Sequence, residues 1–370
     1  MKIAAVRIWR YKLPLVKPLI FLGSPLVVRE GFVLKVTDES GKTGYGECAP
    51  LAGYSRESMN DALSQLEMVT ERLQTADITD SLFLEQAARL CEGVDAASVK
   101  FAVESALLSL AASLADKPIA ALLMADYALR VPVNALIEST ENLESRVTEL
   151  VHSGCRAVKL KVGRNEINAD IAIVRKLRAI LPERIGLRLD ANRAWTLDQA
   201  VQFAQGIQDC AIEYIEEPLR DSAELPLLHD AAPDLPLAVD ESVRDMDIEY
   251  IRAAEHFSAV VIKPTVVGGI SKSIAIARAC RQSGKKAVYG AAIESSLGLL
   301  MIAQIAATLI QDVPIGLDTA RLFSRDLISP SLKIVDFSVE TDRVSVDKCT
   351  LNQDVLEEVI GHEIVDEFDS

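Results

Sequence analysis

The stretch IGLRLDAN at residues 185–192 is a short apolar run that ends on a charged residue, Asp190, and leads into a helix-like segment. The same pattern repeats along the chain from about residue 131. The other runs are VPVNALI (131–137), AVKLKVG (157–163), IEYIEEP (212–218), LPLAVDES (235–242), AVVIKP (259–264), KAVYGAA (286–292) and IGLDT (315–319). Their spacing fits one strand, one helix and two loops per unit, and eight consecutive units close into a (β/α)8-type barrel.

An open, doubly wound parallel sheet is the main alternative to a barrel. Such a sheet usually has fewer strands, and its dinucleotide-binding form needs a glycine-rich turn that leads into a helix. GYGECA at 44–49 lacks the third glycine and the following helix, and the sequence contains no Walker-type phosphate loop. The sequence therefore favours the barrel.

The first third of the chain predicts a separate α+β layer. Alternating runs at 2–14 and 30–38 indicate strands, and helical periodicity follows at about 59–75, 81–92 and 96–115. We predict an N-terminal capping domain at 1–125, a barrel at 126–320 and a C-terminal segment at 321–370 that returns to complete the cap.

Two stretches of the C-terminal segment carry different predictions. SPSLKIVDFSV at 329–339 is expected to pair with the N-terminal layer. The acidic end is expected to be a solvated tail rather than a binding element. It contains Asp354, Glu357, Glu358, Glu363, Asp366 and Glu367.

Ionisable residues lie near the carboxyl ends of five consecutive barrel strands. Parallel barrel strands are buried on both faces, so charges inside them need a reason, and this end of a barrel is where active sites form. Residues two apart share a face, so Lys159 faces the same way as Lys161, and Arg188 the same way as Asp190 and Asn192. The set is Lys159, Lys161, Asp190, Glu216, Glu217, Asp240, Glu241 and Lys263.

Three carboxylates at successive strand ends, Asp190, Glu216 and Asp240, are hard oxygen donors that suit magnesium or manganese better than zinc. A lysine lies on either side of them. This array fits removal of a proton beside a carboxylate, because a metal stabilises the dianionic intermediate and nearby cations lower the pKa of a lysine base. Buried salt bridges are the alternative, at a large desolvation cost. Glu217 and Glu241 point to the other face and are expected to support the site.

Composition excludes several other functions. The chain has 370 residues, 49% hydrophobic and 25% charged, with a net charge of −15. An acidic protein without basic clusters repels nucleic acid. No leader or membrane-spanning segment is recognisable, so we expect a cytoplasmic protein with a small-molecule carboxylate substrate and no membrane or obligate protein partner. The six cysteines have no metal-site or disulfide spacing and are expected to be reduced.

Several of these motifs together resemble the enolase superfamily, in its muconate-lactonising branch, and within it the o-succinylbenzoate synthase family. The resemblance is dense from about 155 to 319 and appears again near the N-terminus. The motifs are KLK (159–161), LRLDANRAWT (187–196), IEEP (215–218), VDES (239–242), VVIKP (260–264), IESSLGL (293–299), GLDT (316–319), REG (29–31) and YGECAPLAGYS (45–55).

The resemblance implies an enolase-like, modified TIM barrel with a cap, and a carbon–oxygen lyase. Such an enzyme dehydrates 2-succinyl-6-hydroxy-2,4-cyclohexadiene-1-carboxylate in menaquinone biosynthesis with Mg2+ bound. Residue by residue, it implies Asp190, Glu216 and Asp240 as metal ligands and Lys161 as the base. Lys263 would stabilise the enolate, and Lys159 would lie near the substrate carboxylate.

The same resemblance implies substrate contacts, which we expect at Asn192 and Arg188 on the floor of the site and at capping loops around Arg29 and Leu51–Ser55, including Tyr54. Related synthases often carry serines after the seventh strand, where this chain has YGAA at 289–292. Ser295 and Ser296 are therefore expected to substitute in recognising the succinyl tail. Their other interpretation is a helix N-cap.

Three further functions stay open at the sequence level. Racemisation or epimerisation of N-acyl amino acids would use Lys161 and Lys263 as two alternating bases. A glycosidase on the same barrel would pair Glu216 or Glu217 with Glu294, but leaves both lysines unexplained. A non-catalytic barrel that binds metal or carboxylates is the third.

Overall fold

The barrel is built from seven parallel strands in the computed structural model, which describes residues 2–21, 24–76, 78, 83–139, 141–309, 312–342 and 349–363. These strands are β5 (Ala135–Ile137), β6 (Ala157–Lys161), β7 (Gly186–Asp190), β8 (Tyr214–Glu216), β9 (Leu237–Val239), β10 (Ala259–Ile262) and β11 (Lys286–Tyr289). They lie in the order β11-β10-β9-β8-β7-β6-β5, so each strand pairs with its neighbour in the chain.

Residues 315 and 316 close the barrel in the eighth position. Ile315 bridges to Val133 beside β5, and Gly316 bridges to Gly290 beside β11. Main-chain hydrogen bonds accompany both bridges, including Gly316 N to Tyr289 O at 2.9 Å. The predicted (β/α)8-type barrel is therefore confirmed, and the alternative of an open sheet is wrong.

Helices follow the barrel strands and cover them. These helices are α5 (Leu143–His152), α6 (Ile167–Ile180), α7 (Leu197–Gly206), α8 (Leu225–Ala231), α9 (Ile248–Ala253), α10 (Pro264–Val267), α11 (Ile270–Gln282) and α12 (Ser296–Ala306). Local sequence sets their ends: Thr196 caps α7 through a capping box with Gln199, and Ser295 caps α12. The apolar side chains of strands and helices form one continuous buried core.

The cap combines an antiparallel sheet with a layer of helices. Its strands are β1 (Ile3–Phe21), β2 (Ser24–Asp38), β3 (Thr43–Cys48) and the C-terminal β15, and its helices are α1 (Met59–Thr75), α2 (Phe83–Leu90), α3 (Ala97–Ala115) and α4 (Ile119–Leu123). Sheet and helices bury a second core. Gly44 and Gly46 allow β3 to lie directly against α3, where any side chain would collide with main-chain oxygens.

The C-terminal segment does complete the cap, but through a different stretch from the one predicted. The sheet order is β15-β1-β2-β3, and β15 spans Leu356–Glu363. The end of 329–339 belongs to β13 (Ser338–Glu340), which pairs with β4 (Arg130–Pro132) beside the barrel and not with the cap sheet. The remaining short strands are β12 (Ile328–Ser329) and β14 (Thr350–Leu351), which pair with each other.

The prediction of a solvated acidic tail is wrong for Glu357, Glu358 and Glu363, which belong to β15. The main chain of this edge strand is paired with β1, while Glu357 and Glu358 stay exposed. Charged side chains on an edge strand oppose further pairing, which explains how an acidic segment forms a strand. Asp366 and Glu367 lie outside the described residues.

Helix α3 fixes the cap on the barrel. It is the one helix in the described part of the chain that is long and apolar enough to cross a membrane, but most of it is buried in the protein. It packs against β3, α10 and α11. Glu104 of α3 accepts hydrogen bonds from the main-chain nitrogens of Ile270 and Ser271, at the start of α11. α3 is therefore a core helix that joins the two layers.

Candidate active site

Three buried carboxylates lie next to one another at the carboxyl ends of the barrel strands. Asp190 ends β7, Glu216 ends β8, and Asp240 follows β9. Asp190 is directly opposite Glu216 in the strand register. Because parallel strands end at one edge, the fold brings these three side chains into one layer, as the strand-end pattern predicts.

Two lysines form ion pairs with the three carboxylates. Lys159 Nζ lies 2.8 Å from Asp190 Oδ2 and 2.6 Å from Glu216 Oε2, and Lys263 Nζ lies 2.6 Å from Asp240 Oδ2. Burial lowers the pKa of each lysine, but the facing carboxylates outweigh burial and raise the pKa of both. Both amines are therefore held as cations.

Negative charge nevertheless exceeds positive charge around Glu216. Burial raises the pKa of Glu216 to about 7, with Asp190 and Asp240 adding to the shift and Lys159 opposing it. Such a cluster gains from a further cation. Carboxylate oxygens are the donors that Mg2+ and Mn2+ prefer.

The three carboxylates do not, however, converge on a ready coordination geometry. Among the described residues, no group of three or more His, Cys, Asp or Glu side chains is arranged to hold a metal ion. The ammonium of Lys159 lies between Asp190 Oδ2 and Glu216 Oε2. The donor set, three carboxylates in one layer, is of the type that a divalent metal prefers.

Lys161 differs from the other two lysines. Its Nζ donates to Asn192 Oδ1 at 2.7 Å, and it makes no ion pair in the part of the chain that the structure describes. Burial lowers its pKa, and the charges of Lys159, Arg164 and Lys263 add to this effect against the opposing Asp190. Lys161 is therefore the lysine best suited to be a neutral base.

Asn192 fixes the position of Lys161. Its backbone is left-handed, with φ of 43°, and its main-chain nitrogen donates to Asp190 Oδ1 at 3.1 Å. Its side-chain nitrogen lies 3.4 Å from Glu241 Oε1. Asn192, predicted as a substrate contact, thus touches the amine of Lys161 and remains exposed at the barrel mouth.

A cap residue, Tyr54, reaches into this layer. Lys263 Nζ donates to its hydroxyl at 2.6 Å, and the hydroxyl lies 3.2 Å from Asp240 Oδ1. The ring also lies 6.0 Å from that of Phe21, in the β1–β2 hairpin. The predicted approach of this capping loop to the barrel mouth is present in the structure, although the direct contact of Tyr54 with Lys263 was not anticipated.

Arg188 is not a substrate contact, contrary to the sequence-based expectation. Its side chain is 0% exposed, one layer below Asp190. The guanidinium donates to Glu213 Oε2 at 2.9 Å, to Pro314 O at 2.6 Å and to Asn134 Oδ1 at 3.3 Å. Arg188 does share its strand face with Asp190, but its guanidinium is held by residues that precede β5, β8 and the closing bridge at 315–316.

Ser295 and Ser296 are also unavailable to a substrate. Ser295 Oγ donates to Glu47 Oε2 at 2.7 Å and caps α12, while Ser296 Oγ binds Asp326. Both are fully buried, so the N-cap interpretation holds for Ser295. Leu51 is likewise part of the buried core. The substrate contact predicted for Leu51 stays a prediction, whereas the hydroxyls of Ser295 and Ser296 are both bonded to carboxylates.

Of the supporting acids, Glu217 holds the turn after β9. It accepts from Asp240 N at 2.9 Å, from Ser242 N at 2.7 Å and from Arg193 Nε at 3.1 Å. Its hydrogen bonds go to Asp240, Ser242 and Arg193 and to none of the three site lysines. The role of Glu217 is to fix the backbone that carries Asp240. Glu241 lies nearer the site, and its Oε2 is buried with no hydrogen-bond partner among the described residues.

Comparison with known proteins agrees with this geometry. Residues 142–344 match the family described as Enolase C-terminal domain-like, and residues 3–110 match the MenC N-terminal domain. The o-succinylbenzoate synthase of Aliivibrio salmonicida is 32% identical over 330 residues, which cover 88% of this chain and 93% of that protein. That of Haemophilus influenzae is 31% identical over 341 residues, covering 90% and 96%.

The chain belongs to the o-succinylbenzoate synthase family of the enolase superfamily. It is accordingly a lyase, and the family resemblance of its motifs is confirmed. The dipeptide epimerase of Enterococcus faecalis, solved with Mg and L-Leu-L-Tyr, has the same fold, with a TM-score of 0.82, 24% identity, and coverage of 95% of this chain and 100% of that one.

Membership of this family indicates a divalent-metal cofactor, for which Asp190, Glu216 and Asp240 supply suitable donors. It also removes the glycosidase alternative. Glu294, the second carboxylate in that alternative, is fully buried and accepts from Thr265 Oγ1 and Ala292 N, both at 2.5 Å. It has no access to a substrate.

The pH dependence of the reaction should report on Lys161. We expect kcat/KM to rise with pH until Lys161 is neutral, at a lower pH than an ordinary lysine requires, because burial and nearby cations lower its pKa. Arg164→Gln removes one of these cations, which makes the protonated amine more favourable and moves the acid limb to higher pH. The measurement is kcat/KM against pH at constant ionic strength.

The matched control is Arg184→Gln, because Arg184 is an exposed arginine that precedes β7 at the opposite end of the barrel. It should leave the limb unchanged. An identical midpoint for Arg164→Gln and the unmodified chain contradicts the assignment of this limb to Lys161.

Proposed function

We propose that the chain dehydrates 2-succinyl-6-hydroxy-2,4-cyclohexadiene-1-carboxylate to 2-succinylbenzoate with bound Mg2+, as a step of menaquinone biosynthesis. The observation that carries this proposal is the inequality of two lysines on opposite sides of the carboxylates. Lys263 is ion-paired with Asp240, whereas Lys161 binds, among the described residues, only the neutral amide of Asn192. A reaction with one base and one permanent cation needs this inequality. The shared name of the curated relatives supports the same substrate.

Lys161 is the proposed base. Its amine takes the proton from the carbon beside the substrate carboxylate, and the electrons of that C–H bond move toward the carboxylate as an enolate. The resulting ammonium then gives the proton to the departing hydroxyl group. The C–O bond breaks, water leaves, and the ring becomes aromatic. The enzyme ends in its starting protonation state, so no further reactant is needed.

Positive charge must meet the enolate where it forms. Lys263 is the proposed cation, because Asp240 and Tyr54 hold its amine across the barrel from Lys161. Bound Mg2+ would supply Lewis-acid stabilisation of the substrate carboxylate. Asp190, Glu216 and Asp240 would hold the ion, and Lys159 would lie near the substrate carboxylate.

Racemisation or epimerisation of N-acyl amino acids is the second candidate. It is favoured by the position of Lys161 and Lys263 on β6 and after β10, with three acid-bearing strands between them. The epimerase with the same fold points to the same possibility. That reaction needs each lysine to act in turn as a neutral base, and the ion pair of Lys263 opposes this role.

The test compares the two substrate classes under one set of conditions. With Mg2+, the protein should remove the cyclohexadiene chromophore and form 2-succinylbenzoate, and a chelator should stop the reaction. N-succinyl amino acids are assayed in parallel by α-proton exchange in heavy water. A higher kcat/KM for racemisation than for dehydration rejects the proposal in favour of the second candidate. Absence of both dehydration and α-proton exchange rejects both.

The proposal includes a cytoplasmic location and no partner beyond the small-molecule substrate. Five of the six cysteines are buried thiols, and burial raises the pKa of Cys48 and Cys280, which keeps them protonated and unreactive. Such cysteines suit a reducing compartment.

A further inference from the structure

Arg29 is a buried arginine of the cap whose hydrogen bonds all go to main-chain oxygens. It is 2% exposed in β2. Its Nε donates to Ile293 O at 3.0 Å, Nη1 to Pro50 O and Glu30 O at 2.7 Å each, and Nη2 to Ala49 O at 2.5 Å. No carboxylate pairs with it among the described residues. A buried charge is costly unless it is well bonded, so this arrangement calls for a purpose.

One set of acceptors lies at the base of the cap turn at 49–55. The turn is tightly bonded: Tyr54 N and Ser55 N donate to Leu51 O at 2.9 and 2.8 Å, and Leu51 N donates to Ser55 Oγ at 2.9 Å. Its far side carries Tyr54, whose hydroxyl contacts Lys263 and Asp240. By holding Ala49 and Pro50, Arg29 therefore sets where Tyr54 meets the catalytic layer.

The other acceptor lies in the segment 290–295 that follows β11. Ile293 has φ of 61°, a conformation that is strained for a β-branched residue and persists only when the surroundings enforce it. Arg29 Nε binds the carbonyl of this residue. The segment also begins beside Lys263, because a side chain at Gly290 would lie 3.7 Å from Lys263 Cε.

Both segments that Arg29 binds therefore border Lys263, one from the cap and one from the barrel. We propose that Arg29 is a positioning residue: one guanidinium ties the 49–55 turn to the 290–295 segment, so that the two walls beside Lys263 are set as a unit. This inference rests on the proposed function. Arg29 makes no hydrogen bond with the strands that carry Lys159, Lys161 and the three acids. Loss of the Arg29 side chain should therefore affect substrate binding more than proton removal.

The first readout is hydrogen exchange of the Mg2+-loaded protein without substrate. Arg29→Met should raise exchange at least about tenfold in peptides covering both 49–55 and 290–295, because both lose the same anchor, while α6 and β7 stay protected. Arg178→Met is the matched control. Arg178 also binds three main-chain oxygens, those of Leu181, Pro182 and Ile185, but at the opposite end of the barrel.

The second readout is steady-state dehydration. Arg29→Met should lower kcat/KM by about 100-fold, the scale of a small misplacement in a site, with the larger part in KM. Arg29→Lys, which retains the charge but not the fork, should show the same pattern at smaller size, and it carries the test where Arg29→Met does not fold. Arg178→Met should leave KM and both segments unchanged.

Faster hydrogen exchange of Arg29→Met in only one of the two segments overturns the proposal. A uniform rise in exchange across the whole protein also overturns it. So does an unchanged KM when exchange is faster in both segments. Failure of the proposed function looks different, because the unmodified protein would then not form 2-succinylbenzoate at all. The exchange experiment uses no substrate, so in that case it still tests whether Arg29 links the 49–55 turn to the 290–295 segment.

Discussion

Replacing Lys161 with alanine should lower the rate of proton removal by about three to four orders of magnitude, the upper part of the range for general-base catalysis. No other described side chain at the barrel mouth can take its place, because Lys159 and Lys263 are both paired with carboxylates. Fold and metal binding should be preserved, since the hydrogen bond of the Lys161 amine to Asn192 is its only one within the described ranges.

The measurements for Lys161→Ala are single-turnover dehydration and α-proton exchange in heavy water, both with saturating Mg2+. Lys286→Ala is the control, because Lys286 is a half-exposed lysine at the amino end of β11 that pairs with Glu213. It should retain full activity. Added methylamine should restore part of the lost rate only in Lys161→Ala. Dehydration at more than a tenth of the original rate in this variant removes Lys161 as the base.

The sequence was sufficient to predict which charged residues meet. Parallel strands share an edge, so Lys161, Asp190 and Glu216, each the last residue of its strand, had to lie in one layer. The register agrees, with Lys161 opposite Asp190 and Asp190 opposite Glu216. The barrel could be predicted for the same reason, because its signal is local and repeats with every strand.

Contacts between segments that are distant in the sequence could not be predicted in the same way. Arg188 and Asp190 face the same side of β7, but only the folded barrel shows that Glu213 and Pro314 surround Arg188 and keep it from the mouth. From the sequence alone, Ser295 could be a substrate contact or a helix N-cap. In the structure its hydroxyl donates to Glu47, a residue of the N-terminal sheet. The sequence does carry a signal for this contact, because Glu47 is a charged residue within the strand TGYGEC at 43–48.

The ion pairs of Lys159 with Asp190 and Glu216 could not be predicted from the sequence either. The pattern places a metal near Asp190 and Glu216, and the structure adds a lysine, since Lys159 Nζ lies 2.8 Å from Asp190 Oδ2 and 2.6 Å from Glu216 Oε2. Which side chain reaches these carboxylates depends on lysine rotamers that residue spacing does not specify. Metal binding at the same carboxylates can be tested without measuring catalysis.

Glu216→Gln should weaken Mg2+ binding by at least about 100-fold, since loss of even an outlying hydrogen-bond partner of a metal ligand costs roughly 10- to 100-fold. The glutamine removes one negative charge from a cluster in which burial, Asp190 and Asp240 raise the pKa of Glu216 to about 7. Lys159 keeps its contact with Asp190, so the metal-free variant should stay folded. Dehydration should fall by about 100- to 1,000-fold, as for other losses of transition-state charge stabilisation.

Thermal unfolding with and without Mg2+ separates metal binding from catalysis, because an ion that binds only the folded state stabilises it by RT ln(1 + [Mg2+]/Kd) and so raises Tm. The unmodified protein should gain stability with Mg2+, and Glu216→Gln should gain little at the same concentration. Glu213→Gln is the matched control: Glu213 precedes β8 at its other end and pairs with Arg188 and Lys286. Its loss should lower Tm with and without the metal and leave the Mg2+ increment intact. An undiminished increment in Glu216→Gln means that the ion binds elsewhere, and that the carboxylates of β7 and β8 serve only to pair Lys159.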